Sequence, residues 1–396
     1  MSHERPPDAG DGYERVLDAV ARRLPALRAQ VARDRLRIES LYADLVDQPH
    51  GRRETVLANS SSTLLLALAY DLMRRSHSFR FDDTARALRL AQLAHEVAVT
   101  VRLRRDFSEA VGADLVGESL SYLGNAQRLN AQFSAAETSL AQARDFLWAG
   151  TRDRLARALR LRFLATLRQA EGLPDEAAAI HDREIKLRRL LGDPNALGTT
   201  LIDRGRIACW TGEPLTAACA FIRDGIRLVD EQHMVFLGLL HLAEAFARSN
   251  DPFRSWKLLR ASGGILSEIG LGPAFERRHR WIQGITYRLV DQPARAEEVL
   301  TSVRDEFLEG DLPLAAADVS LDLMPALAAQ GKHDLLAPLA EATYRRFATE
   351  GLGKQALSAL IIVQQAAVAR RLTEDLASRV ANFVARFQNN RKVRFE

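Results

Sequence analysis

The chain has 396 residues, 47% of them hydrophobic and 27% charged, with a formal net charge of +4. That balance belongs to a folded chain and excludes overall disorder. Two cysteines cannot build a disulfide framework, and the longest apolar run, around Thr63–Tyr70, falls far short of the roughly 20 residues of a membrane span.

The first residues, MSHERPPDAGDG, contain no apolar stretch of signal-peptide type. The expectation is a disordered segment at 1–12 on a cytoplasmic, non-membrane protein. From residue 13, Val16, Val20, Leu24, Leu27 and Val31 recur at helical spacing. Arg22, Arg23, Arg28, Arg33, Arg35 and Arg37 share this segment with Asp34 and Glu39. The interleaved signs suit a solvated helix face, and 13–48 is too short for a helix-turn-helix module. No direct nucleic-acid contact is therefore expected. Residues 13–59 are assigned as an N-terminal helical cap. Asn59-Ser60-Ser61-Ser62 reads as a helix N-cap. Residues 53–100 read as a helix pair with a longer connection at Ser76–Asp83.

Farther on, one turn recurs: Gly172-Leu173-Pro174, Gly212-Glu213-Pro214, Asn250-Asp251-Pro252 and Asp291-Gln292-Pro293. The prolines lie 40, 38 and 41 residues apart. Gly or Asn suits the left-handed residue just past a helix end. Proline two residues on cannot extend that helix but fits the first turn of the next. Amphipathic stretches flank each turn: Leu155–Ala170, Leu197–Trp210, Val235–Arg248 and Phe275–Val290 before it, and Asp175–Leu190, Leu215–Val229, Phe253–Ile269 and Ala294–Phe307 after it. Small residues stand seven positions before the turn (Ala165, Gly205, Ala243, Gly284) and five after it (Ala177, Ala217, Ser255, Ala296), where antiparallel helices would approach closely. Gly124, Ala131, Phe133 and Ala136 fit an earlier unit, and Met324, Gly331 and Leu336 a later one.

These offsets resemble the tetratricopeptide repeat family. Its Leu-Gly pair stands as Leu123-Gly124, replaced by Leu164-Ala165, Arg204-Gly205, Leu242-Ala243 and Gln283-Gly284. Its later aromatic stands as Phe246 and Tyr287, and its large second-helix apolar residue as Leu140, Phe221, Leu259 and Leu300. The resemblance covers about 60–350. The spacing near 40 exceeds the usual 34, which leaves HEAT-like repeats as an alternative. The resemblance implies an all-α, right-handed α-solenoid of antiparallel helix pairs, about six to eight units of roughly 40 residues. The array is placed at 60–350, C-terminal capping helices at 351–388 and a basic tail at 389–396.

No motif carries catalysis. His233 and His241, eight apart, lack a third metal ligand. Gly351-Leu352-Gly353-Lys354 lacks the earlier glycine and the strand of a phosphate loop. No Gly-x-Ser-x-Gly elbow occurs. Neither enzyme activity, nor a cofactor, nor a metal is expected. The resemblance implies instead a non-enzymatic scaffold binding a protein or peptide on the face formed by the first helix of each pair. There it places Asn125, Arg128, Arg162, Arg206, Trp210, Glu244, Arg248, Arg278, Trp281 and Arg288. Arg and Trp are enriched at binding hot spots, and Arg pairs with carboxylates, so an acidic or C-terminal peptide is the favoured partner. The opposed possibility is that Trp210 and Trp281 pack between repeats and the arginines pair locally. The carboxylate clamp of chaperone-binding members is matched only at Asn125. The alternative function is a sensor or regulator working with a DNA-binding or signalling partner. Oligomeric state and partner identity are not legible.

Overall fold

Helix formation here follows from strong helix formers at amphipathic spacing, punctuated by turns that force the chain to reverse. The computed structural model describes residues 36–46, 48–80, 83–349 and 353–395. Regular structure among the described residues is helical throughout. A first compact unit spans 1–160 and a second 161–396.

The first unit contains α1 (36–46), α2 (His50–Asn59), α3 (Ser62–Ser78), α4 (Thr84–Arg104), α5 (Glu109–Leu129) and α6 (Phe133–Ala149). Its core runs from Leu41 and Leu45 through Leu65, Leu72, Leu90 and Val97 to Leu115 and Leu120. Ser61 caps α3 by accepting from Leu64 N–H. The arginines at 22–35 and the segment 1–12 lie outside the described residues.

The second unit takes up α7 (Arg154–Ala170) from Leu161 onward. Then come α8 (Pro174–Leu191), α9 (Pro194–Ala208), α10 (Leu215–Ile226), α11 (Gln232–Arg248), α12 (Pro252–Ile269), α13 (Pro273–Leu289), α14 (Pro293–Glu309), α15 (Pro313–Ala329), α16 (His333–Thr349), α17 (Lys354–Val368) and α18 (Glu374–Asn389). Within each unit successive helices pack against one another, as in an α-solenoid, and α18 also packs against α15. The forty-residue spacing is filled by helices of 17 and 18 residues from α11 to α14, joined by short turns.

The recurrent turn is one hydrogen-bonded structure. Gly172, Asn250 and Asp291 all have positive φ, at 74°, 58° and 57°. The next residue donates back across the helix end: Leu173 to Arg168 O (2.9 Å), Asp251 to Phe246 O (2.9 Å), Gln292 to Tyr287 O (3.0 Å). This six-to-one bond satisfies a carbonyl that the helix leaves orphaned. Pro174, Pro252 and Pro293 then open α8, α12 and α14. The same structure recurs at Asp311-Leu312-Pro313, with Leu312 donating to Phe307 O at 2.8 Å. Ala131 and Gly331 form it without the proline.

The Gly212 turn departs from the pattern. There α9 ends early, at Ala208, and Pro214 is the N-cap of α10 rather than its first residue. The register of α10 therefore slips by one. Ala218, not Ala217, is the fully buried small residue, and Ile222, not Phe221, is the large residue facing α9. At the contact point a Cβ on Gly205 would lie 2.5 Å from Ile222 Cγ1 and 3.0 Å from the Ala218 carbonyl oxygen. Gly284 meets Leu300 in the same way, at 2.6 Å.

Because one obstacle at Gly205 is backbone, Gly205→Ala should destabilise the second unit by about 1–3 kcal/mol, the cost of overpacking. Gly51, in α2 with nothing within 4 Å of an added Cβ, should tolerate alanine or gain about 0.5–1 kcal/mol. Urea unfolding midpoints of the two variants check the contrast.

Candidate binding groove

Residues near the ends of α9 and α11 meet residues from the middle of α13 on one face of the second unit. Arg206 and Trp210 (at and just beyond the end of α9), Glu244 and Arg248 (α11), and Arg278 and Trp281 (α13) line one cavity of about 160 Å3. His241 joins them, with Asp318 and Asp322 from α15 and Gln388 and Asn389 from α18. Six of the ten residues expected on this face thus converge.

Arg248 is the hub. Its guanidinium makes two parallel bonds to Asp322, at 3.2 and 3.1 Å, and Nε reaches Glu244 Oε1 at 3.3 Å. Glu244 also accepts from Arg278 at 2.6 Å. Trp281 donates its indole N–H to Asp322 at 2.8 Å, while the Arg278 guanidinium lies 4.7 Å from the Trp281 ring centre. Trp281 therefore does both things weighed for it: it packs in the core, edge-on to Phe307, and lines the cavity. Burial raises Glu244, but Arg278 and Arg248 outweigh it and hold its pKa down to about 2. Burial and the Arg206 charge push His241 down to about 3, so this imidazole is neutral. Asp318 goes the other way: burial lifts it to about 6, against a hydrogen bond from Gln388.

The remaining expected residues sit elsewhere. Arg162 pairs with Asp203 at 3.5 Å, and Arg288 with Glu374 at 3.0 Å. Asn125 and Arg128 belong to the first unit, where Arg128 donates to Asn125 Oδ1 at 3.3 and 3.0 Å. Asp318 and Asp322 escaped sequence reasoning, yet a signal exists: they are the only charges in the otherwise apolar α15, four residues apart.

The face is not empty. After α17 the chain turns back and α18 crosses it. Ala377, Val380, Ala381, Val384 and Phe387 bury one side of α18 in the core that holds Leu321 and Met324. Its polar groups meet successive repeats. Glu374 reaches Arg288, and Asn382 Oδ1 accepts from Arg248 at 3.5 Å. Beyond the helix, Asn390 donates to the Trp210 carbonyl at 3.0 Å, and Arg391 N–H to the Gly172 carbonyl at 3.2 Å. Lys392 pairs with Asp175 at 2.6 Å. The segment expected to cap the end of the stack thus lies along the face expected to bind peptide.

No family model matches the chain, and no curated protein matches it. Among solved structures it is similar to the crystal structure of a tetratricopeptide repeat protein from Parabacteroides merdae ATCC 43184. That likeness has 16% identity and a TM-score of 0.43, covering 75% of this chain and 98% of that one.

A larger cavity, about 630 Å3, lies among α14, α15 and α16 and is walled by Leu308, Leu323, Leu327, Leu335 and Leu339. None of the ten expected residues lines it. Among the described residues no helix is long and apolar enough to cross a membrane, and no cluster of three metal-ligating side chains occurs.

Arg248→Met would strand Asp322 and Glu244 and should cost about 3 kcal/mol or more in urea unfolding. Asp318 carries the opposite lesson. Its folded pKa is above the ordinary 3.8, so the stability it contributes is full below that value and is lost as pH rises through about 6. Asp318→Asn, which still accepts from Gln388, should therefore stabilise the protein at pH 7–8. That advantage should fade below about pH 4, as a melting series across pH will show.

Proposed function

We propose that the protein is a non-enzymatic interaction scaffold whose second unit binds a helical peptide segment of a partner protein on its first-helix face. The observation that carries this reading is the placement of α18. A helix with one apolar side, two acids in its first turn and amides along its length sits on that face through apolar burial and polar contacts to successive repeats. This is helix-in-groove recognition made within one chain. A partner of the same chemistry would present an apolar stripe, a carboxylate for Arg288 and an amide for Arg248. The acids at the start of the helix preserve the expected preference for a carboxylate-bearing ligand.

The self-occupied face also favours the regulatory version of the reading, in which the scaffold works with a DNA-binding or signalling partner. Partner affinity is then scaled by the fraction of molecules in which α18 has left. Whatever shifts that fraction controls binding.

A labelled peptide of residues 371–395 tests the reading. The full chain should bind it weakly, because the tethered copy competes at high effective concentration. Glu374→Gln with Lys392→Glu in the chain weakens the tether and leaves the face intact, and each 1.4 kcal/mol removed should tighten binding of the unaltered peptide about tenfold. Hydrogen exchange must show faster exchange of the α18 amides in the same variant. Released α18 without a gain in peptide binding would remove this face as a peptide site.

A further inference from the structure

A second cavity, of about 310 Å3, opens beside the charged network. Arg206, Trp210, Leu215, His241, Arg248 and Arg386 wall it, the last projecting from α18. Its size is at the lower end of small-ligand pockets.

The charges here do not balance locally. Both carboxylates in the wall are already engaged. Glu213 accepts from Arg204 at 2.8 Å and from Thr211 at 2.9 Å, while Glu244 is held by Arg278 and Arg248. Arg248 in turn spends its fork on Asp322. Two guanidinium groups are left. Arg206 bonds the amide oxygen of Gln169, and neither it nor exposed Arg386 has an ion-pair partner among the described residues. The acid nearest Arg206 in sequence, Asp203, is taken by Arg162. Burial pulls the Arg206 guanidinium below its ordinary pKa. Asp203 and Glu244 offset that loss only in part, because each is bonded to other arginines, and a bound anion would offset more of it. Trp210 and Leu215 supply an apolar wall beside the cations. Burial pushes the Cys209 thiol up to about 12, so it stays protonated and offers no competing anion.

We propose that this cavity binds a small organic monocarboxylate, its carboxylate between Arg206 and Arg386 and its apolar body against Trp210 and Leu215. Since Arg386 belongs to α18, such a ligand bridges α9 to the C-terminal helix and holds that helix down. The site stands whether or not the face binds a partner peptide.

Phenylacetate is the probe, with phenylacetamide as its neutral isostere and inorganic phosphate as a bare anion, titrated into the full chain by calorimetry. Phenylacetate should bind saturably and at least about tenfold tighter than the amide, the worth of one hydrogen bond to a charged group. Arg206→Gln should lose about tenfold or more, and Trp210→Phe should lose less. Arg386→Gln alters only an exposed side chain, so its several-fold loss remains readable even if Arg206→Gln fails to fold. Phenylacetate should also slow hydrogen exchange in α18 of the wild type. Absence of saturable phenylacetate binding, equal binding of the amide, full affinity in Arg386→Gln, or phosphate binding as tightly as phenylacetate would each overturn the proposal.

Discussion

Arg248 has five N–H donors to satisfy away from bulk water, and much of the second unit is arranged around that requirement. Its carboxylate partners come from its own helix and from α15, and its outer edge reaches Asn382 on α18. A fixed, planar fork accepts few geometries, so the helices that carry Asp322 and Asn382 cannot slide without stranding a charge. Apolar packing alone would allow α18 several positions along the first-helix face. Here the polar contacts select one, from Arg288 at one end to Gly172 at the other.

The repeat was legible because it is local. Each turn is specified by three residues whose backbone needs can be read directly: a residue tolerating positive φ, a linker, and proline where no N–H is required. Where the chemistry allowed a variation, prediction slipped. Pro214 can serve as either N-cap or first helical residue, and choosing the second placed Ala217 and Phe221 where Ala218 and Ile222 stand. Another gap lies in α8, where the position equivalent to Leu140 and Leu300 is His181. It is buried with Glu184, Arg188 and Thr200 in a closed polar cluster. A polar residue at a core position cannot be read as core from hydrophobic periodicity, because its partners lie on other turns and other helices.

The charged face was legible for a similar reason. Positions in phase with the repeat share a direction, so the arginines and tryptophans of successive first helices could be grouped without coordinates. What no local pattern contains is that the chain returns. The strong amphipathicity of α18 is visible in Val380, Phe383, Val384 and Phe387, but that stripe is equally what a terminal cap would have. The difference lies in contacts between residues more than a hundred positions apart, such as Arg248 with Asn382 and Trp210 with Asn390.

That return changes what the face can do. An open row of arginines would attract any acidic segment, and its affinity would depend on ionic strength more than on shape. Covered by α18, most of these guanidiniums are spent: Arg248 on Asp322, Arg278 on Glu244, Arg288 on Glu374. A competitor must therefore replace an apolar stripe and a set of specific polar contacts together, which raises selectivity at the cost of affinity. Arg206 stands outside this closed set. Among the described residues no carboxylate makes an ion-pair contact with it, and it lines a cavity beside the helix that covers the face. A ligand bound in that cavity also touches α18 through Arg386, and anything that lifts α18 takes Arg386 out of the cavity wall. The two events are coupled by shared residues, with no need for a longer path through the fold.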